Sequence, residues 1–111
     1  SISMMKDGVI LINTARGTLI DSNALIEGLE SGRVIGAGLD VVDGDREIYY
    51  RDRGTQILGH HEMAILNSFP NVLLLPHMAF FTDDAVKDMV ENAVISCKCH
   101  RDGEKIPCQV V

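Results

Sequence analysis

No apolar run in this 111-residue chain approaches the ~20 residues that a membrane-spanning helix needs, so no such helix is expected. A secretory signal peptide is not expected either, because Lys6-Asp7-Gly8 interrupts the only apolar start. Cations are scarce: 10 Lys and Arg stand against 16 Asp and Glu, for a formal net charge of −6. They are scattered without forming a basic face, which argues against nucleic acid as a partner. Cys97, Cys99 and Cys108 crowd the C-terminus, odd in number and without paired spacing. That is no disulfide framework and fits a reducing, cytoplasmic setting. Internal repeats and low-complexity segments are absent too.

Further absences narrow the chemistry. No Gly-x-Gly-x-x-Gly follows an apolar run; Gly36-x-Gly38 lies inside one, and there is no Walker lysine loop. The chain alone therefore has no recognisable cradle for a dinucleotide pyrophosphate. His61-Glu62 opens like a metalloprotease helix, but the second ligand would fall at Ile65. Asp43-Gly44-Asp45 lacks the rest of a calcium loop. Cys97 and Cys99 would stand about 200° apart around a helix, too far to share one ion easily. No metal site is expected.

What remains is ordinary globular composition, 46% apolar and 23% charged, in a length that suits one small domain. The most informative stretch is Met5 to Asp21. Val9 to Ile12 forms an apolar run bounded by Gly8 and Gly17, the pattern of a central parallel strand covered on both faces. Polar residues Asn13 to Arg16 stand at its C-terminal end, where open parallel sheets bind ligands. Arg16 is a fixed cation with a planar fork suited to a carboxylate or phosphate. It reads either as an anion clamp or as the structural partner of a nearby acid.

The first seven residues suggest the end of a helix begun earlier, so either an initiator Met was removed or something upstream is missing. Asp21 or Ser22 caps the next helix, whose stripe is Leu25, Ile26 and Leu29, with Gly32 at its end. Val34 to Val42 is a second strand, completing a right-handed βαβ unit. Gly36 and Gly38 within it imply close approach of a helix or ligand. Residues 43–59 read as a long polar loop. His60 to Ser68 is a short helix, and Val72 to Leu75 a third strand ending at Pro76-His77. Thr82 caps a helix with Asp83 and Asp84 in its first turn and Val86, Met89, Val90, Ala93, Val94 and Cys97 at helical spacing. The pattern stops at His100, and Ile106 to Val111 reads as an extended tail.

Three polar features thus follow three parallel strands: Arg16, the segment Asp40 to Asp45, and His77. A cation, a carboxylate and an imidazole on one rim constitute an acid–base site with an anion clamp.

Asn13-Thr14-Ala15-Arg16-Gly17, Leu39-Asp40-Val41 and Pro76-His77-Met78-Ala79 stand in the order and spacing of a known family. With Met5-Lys6-Asp7-Gly8 and Phe80-Phe81-Thr82, the chain resembles the NAD-dependent D-2-hydroxyacid dehydrogenases, in particular their D-lactate dehydrogenase branch. The resemblance runs over roughly residues 4 to 94 and corresponds to about the last third of a family member. It implies an α/β fold: a parallel sheet with helices on both faces, the second half of a Rossmann-type NAD-binding domain. Residues 1–99 would form that half-domain with its long return helix, and residues 100–111 a tail rejoining a missing substrate domain.

By position in the motifs, the resemblance implies that Arg16 holds the substrate carboxylate and His77 is the general acid. Asp45 would bond the other imidazole nitrogen. The family usually has Glu there, so the contact could be long or bridged by water, and Glu47 is a possible substitute. Thr14, Ala15, Arg16, Asp40 and His77 would line the NAD site near the nicotinamide. The implied substrate is a short 2-keto or 2-hydroxy acid, with pyruvate and D-lactate expected. A half-domain alone would expose a sheet edge and an apolar face. The chain is therefore expected to be a piece of an enzyme or a homo-oligomer. An inactive remnant that self-associates or binds a full-length relative competes with the enzymatic reading. A corepressor-like NAD sensor ranks third.

Overall fold

The computed structural model describes residues 1–49, 52 and 59–107; the side chains of Arg46 and Glu47 also lie outside the description. Cys108, most of the segment 50–58 and the last four residues of the expected tail are outside it. The chain divides into two compact units, Ser1–Met78 and Ala79–Val111.

The first unit is an α/β layer built on three parallel strands: β1 (Val9–Asn13), β2 (Val34–Leu39) and β3 (Val72–Leu74), in that order across the sheet. A turn of 3-10 helix at Ile2–Met4 precedes β1, and another at Gly17–Leu19 follows it. Between β1 and β2 runs α1 (Ser22–Glu30); α2 (Arg46–Tyr49) and α3 (His61–Ser68) lie between β2 and β3. This parallel sheet flanked by helices is the second half of a Rossmann-type fold.

Local chemistry fixes the ends of α1. The Asp21 carboxylate accepts from the Ala24 N–H at 3.0 Å, a cap contributing about 0.5–2 kcal/mol. Gly32, at φ +74°, closes the far end in the left-handed region open to glycine. Leu25, Ile26 and Leu29 form one stripe and are buried against Val34, Ala37, Leu39, Val42 and Leu66. Full burial of each large aliphatic side chain contributes about 1.5–3 kcal/mol. Helices α1 and α3 pack together, α1 on β2 and α3 on β3.

Two strand expectations need correction. β1 stands at one end of the described sheet, with β2 in the middle, and Ile10 and Ile12 are 63% and 68% exposed. An apolar run reports that both faces suit burial, but not whether neighbours are present to bury them. Leu73 on β3 is likewise exposed. β2 stops at Leu39 rather than Val42. Val41 and Val42 are buried outside the strand, and the Val42 carbonyl accepts from the Asp45 N–H at 3.1 Å, which turns the chain into α2. The segment read as a plain loop therefore carries a helix of its own.

The second unit is dominated by α4 (Asp83–Asp102). Thr82 Oγ1 accepts from the Ala85 N–H at 3.2 Å, and Asp83 and Asp84 face the positive end of the helix dipole. The helix runs past His100 and ends at Gly103, in the left-handed region at φ +69°. Phe80 and Phe81 meet edge to face with ring centroids 6.2 Å apart. Among the described residues, no helix is long and apolar enough to cross a membrane.

Candidate active site at the strand ends

The C-terminal ends of β1, β2 and β3 meet at one rim. Asp40 ties them together through its backbone: its N–H donates to the Asn13 carbonyl, and its own carbonyl accepts from the His77 N–H, each at 2.9 Å. Its carboxylate, in a residue only 2% exposed, accepts from the Met78 N–H at 2.8 Å. These bonds hold His77 at φ +57°, a left-handed conformation that costs a non-glycine residue on the order of 1 kcal/mol.

The first loop is shaped by Asn13. Its side-chain oxygen accepts from the Ala15 N–H, and its amide donates to the Arg16 carbonyl at 2.8 Å. Gly17 then presses on the next loop so closely that a Cβ there would stand 2.2 Å from the Val42 carbonyl carbon. Only glycine permits this approach, which brings the Arg16 loop against Val42 and Asp43. Arg16 is exposed; among the described residues its side chain bonds only the Ala15 carbonyl, at 2.7 Å, and pairs with no acid.

The central contact is direct. His77 Nδ1 lies 3.2 Å from Asp45 Oδ2, and the same oxygen accepts from the Val42 N–H at 3.3 Å. The Asp45 side chain spans the gap itself, from a residue that α2 follows immediately. The contact needs no bridging water, and the Glu47 side chain lies outside the described set. Arg16, Gly17, Asp45 and His77 line one cleft of about 340 Å³. Thr14 and Ala15 are exposed on the adjoining turn, outside that lining, and Asp40 is buried behind His77.

Tyr49, on the helix that Asp45 starts, packs against Met63. Partial burial raises its phenol pKa, and the Asp45 and Asp40 carboxylates add to the effect. The sequence reading gave this residue no role and took His60 only as the start of a short helix. The His60 ring caps α3 through Nδ1 and reaches the Asp43 carbonyl through Nε2 at 2.6 Å. Histidine is an uncommon cap, so no sequence signal marked it.

The family model for the D-isomer specific 2-hydroxyacid dehydrogenase NAD binding domain matches residues 1–79. An aromatic 2-oxoacid reductase from Clostridium sporogenes is 50% identical over 91 residues, which is 82% of this chain and 28% of that protein. A D-lactate dehydrogenase structure from Treponema pallidum matches with a TM-score of 0.88 at 35% identity, covering 99% of this chain and 33% of its own. A D-lactate dehydrogenase with NAD+ from Lactobacillus jensenii matches with a TM-score of 0.85 at 34% identity, over the same shares. The chain thus spans between 28% and 33% of the length of these relatives. It belongs to the D-isomer specific 2-hydroxyacid dehydrogenase NAD binding domain family, whose cofactor is NAD.

Proposed function

We propose that this chain forms the strand-end rim of an oxidoreductase that interconverts a short 2-keto acid and its D-2-hydroxy acid with NAD(H). The observation that carries the proposal is the Asp45–His77 contact in the same cleft as an arginine that pairs with no described acid. Arg16 holds the substrate carboxylate through its planar fork, which also orients the keto carbon. Asp45 accepts the Nδ1–H of His77 and so fixes the ring; proton exchange with the keto oxygen then falls to Nε2. Bound NADH supplies the hydride in reduction.

The residues present fit the reacting end of that cofactor and not its pyrophosphate. A carboxylate-bound imidazole and a guanidinium stand at the rim, whereas no glycine-rich phosphate turn follows any described strand. Thr14, Ala15, Arg16, Asp40 and His77 are the proposed cofactor-side residues. Asp40 acts there through the turn it holds, since its carboxylate is engaged by the Met78 N–H. Residues 1–99 are proposed as the half-domain with its return helix, and residues 100–111 as the segment leading to a substrate domain. The setting is proposed as cytoplasmic, in keeping with the free thiols Cys97 and Cys99. D-lactate and pyruvate are the proposed pair. The 50% identical relative described as acting on aromatic 2-oxoacids makes an aromatic keto acid the second candidate.

One observation favours a second reading. Exposed Ile10, Ile12 and Leu73 are what a self-associating, catalytically silent remnant would present, and the same residues support a homo-oligomer. The two readings separate on the natural polypeptide that carries this sequence. NADH binding, with NADH consumption on pyruvate or an aromatic 2-keto acid that His77→Gln abolishes, supports the enzyme. Neither binding nor consumption, together with a concentration-dependent mass in solution, supports the remnant.

A further inference from the structure

His60 stands between the first turn of α3 and the loop that carries Asp45. Its Nε2 lies 2.6 Å from the Asp43 carbonyl oxygen, and its Nδ1 lies 3.2 Å from the Met63 backbone nitrogen. A carbonyl can only accept, so Nε2 must carry a proton. A peptide N–H can only donate, so Nδ1 must be bare. The neutral Nε2–H tautomer alone makes both bonds. In that form Nδ1 has no proton for Glu62, whose carboxylate lies 3.5 Å away, and the His60–Glu62 contact is not an ion pair.

The ring also backs the loop sterically. Gly44 sits at φ +77°, and a Cβ there would come within 3.1 Å of His60 Nε2. The segment from Val42 to Asp45 is thus held from two sides, by the Gly17 backbone and by the His60 ring. The carboxylate that meets His77 hangs from this segment.

We propose that His60 is a positioning residue for the Asp45–His77 pair. Its Nε2–H bond to the Asp43 carbonyl pins the loop to α3, and its capping bond is a separate, local role. The consequence for catalysis rests on His77 acting as the general acid; the positioning itself does not.

The two roles separate by substitution, because the amide of Asn mimics Nδ1 and that of Gln mimics Nε2. His60→Asn keeps a favourable helix cap and loses the reach to Asp43. His60→Gln keeps the reach and loses the cap. In the natural polypeptide with isotope-labelled histidine, nitrogen NMR should report the Nε2–H tautomer for His60. The downfield Nδ1–H signal of His77 should survive in His60→Gln and vanish or broaden in His60→Asn. Turnover should follow that signal, falling on the order of 10- to 10²-fold in His60→Asn with NADH affinity unchanged. A purely capping role gives the opposite order, with His60→Asn intact and His60→Gln impaired, and would overturn the proposal. So would an Nδ1–H tautomer at His60. If the His77 signal responds as expected while the natural polypeptide reduces no keto acid, positioning stands and the dehydrogenase reading falls.

Discussion

Asp45 Oδ2 and His77 Nδ1 meet directly at 3.2 Å although 32 residues separate them in sequence. Asp45→Asn preserves the shape and an acceptor for the Val42 N–H while removing the charge. We expect kcat/KM for keto-acid reduction to fall about 10²-fold, within the range of positioned acid catalysis. Thermal unfolding should move little. Steady-state kinetics beside a melting curve checks both halves.

Arg16 spends its guanidinium on one exposed carbonyl. Replacing it with Gln should change unfolding stability by no more than about 0.5 kcal/mol in urea titration, as for a surface site. The KM for the keto acid should rise on the order of 10- to 10²-fold, the worth of a hydrogen bond to a charged group. An unchanged KM in Arg16→Gln would show that Arg16 is not the anion clamp.

Gly17 is the steric hinge of the rim. A methyl group at this position would stand 2.2 Å from the Val42 carbonyl carbon, so backbone must shift. Gly17→Ala should destabilise the fold by about 1–3 kcal/mol, the cost of overpacking, and separate Arg16 from Asp45. Denaturant unfolding with an activity assay reads both effects.

Tyr49 predicts an alkaline limb of stability. Its folded-state pKa is raised, by burial first and by Asp45 and Asp40 after it. The contribution is fully present below the unfolded tyrosine pKa of about 10 and is lost as pH rises through the higher folded value. Tyr49→Phe should flatten the fall in stability above that pH, as measured by unfolding at a series of alkaline pH values. A limb that is unchanged would place its origin elsewhere.

Arg16 and His77 were legible as polar residues following apolar runs in a parallel layer, and so was the acidic segment Asp40 to Asp45; Asp45 within that segment was singled out by the resemblance alone. The pairing distance was not legible. It depends on the turn from Val42 into α2, which two buried valines disguise as continuing strand. The left-handed turn at His77 was hidden because glycine is the usual signal for that conformation. The anchoring by Asp40 is tertiary, joining a carboxylate to a peptide N–H 38 residues away. A bare face and an open sheet edge were both expected of a half-domain, but that β1 stands at an end of the described sheet was not, since periodicity carries no record of neighbours.

The most direct measurement is NADH-dependent reduction of a 2-keto acid by the natural polypeptide, comparing the wild-type protein with His77→Gln at matched NADH affinity. We expect the substitution to lower kcat/KM by roughly 10²- to 10⁴-fold, with NADH still bound. Activity that survives in His77→Gln would show that the imidazole held by Asp45 is not the acid.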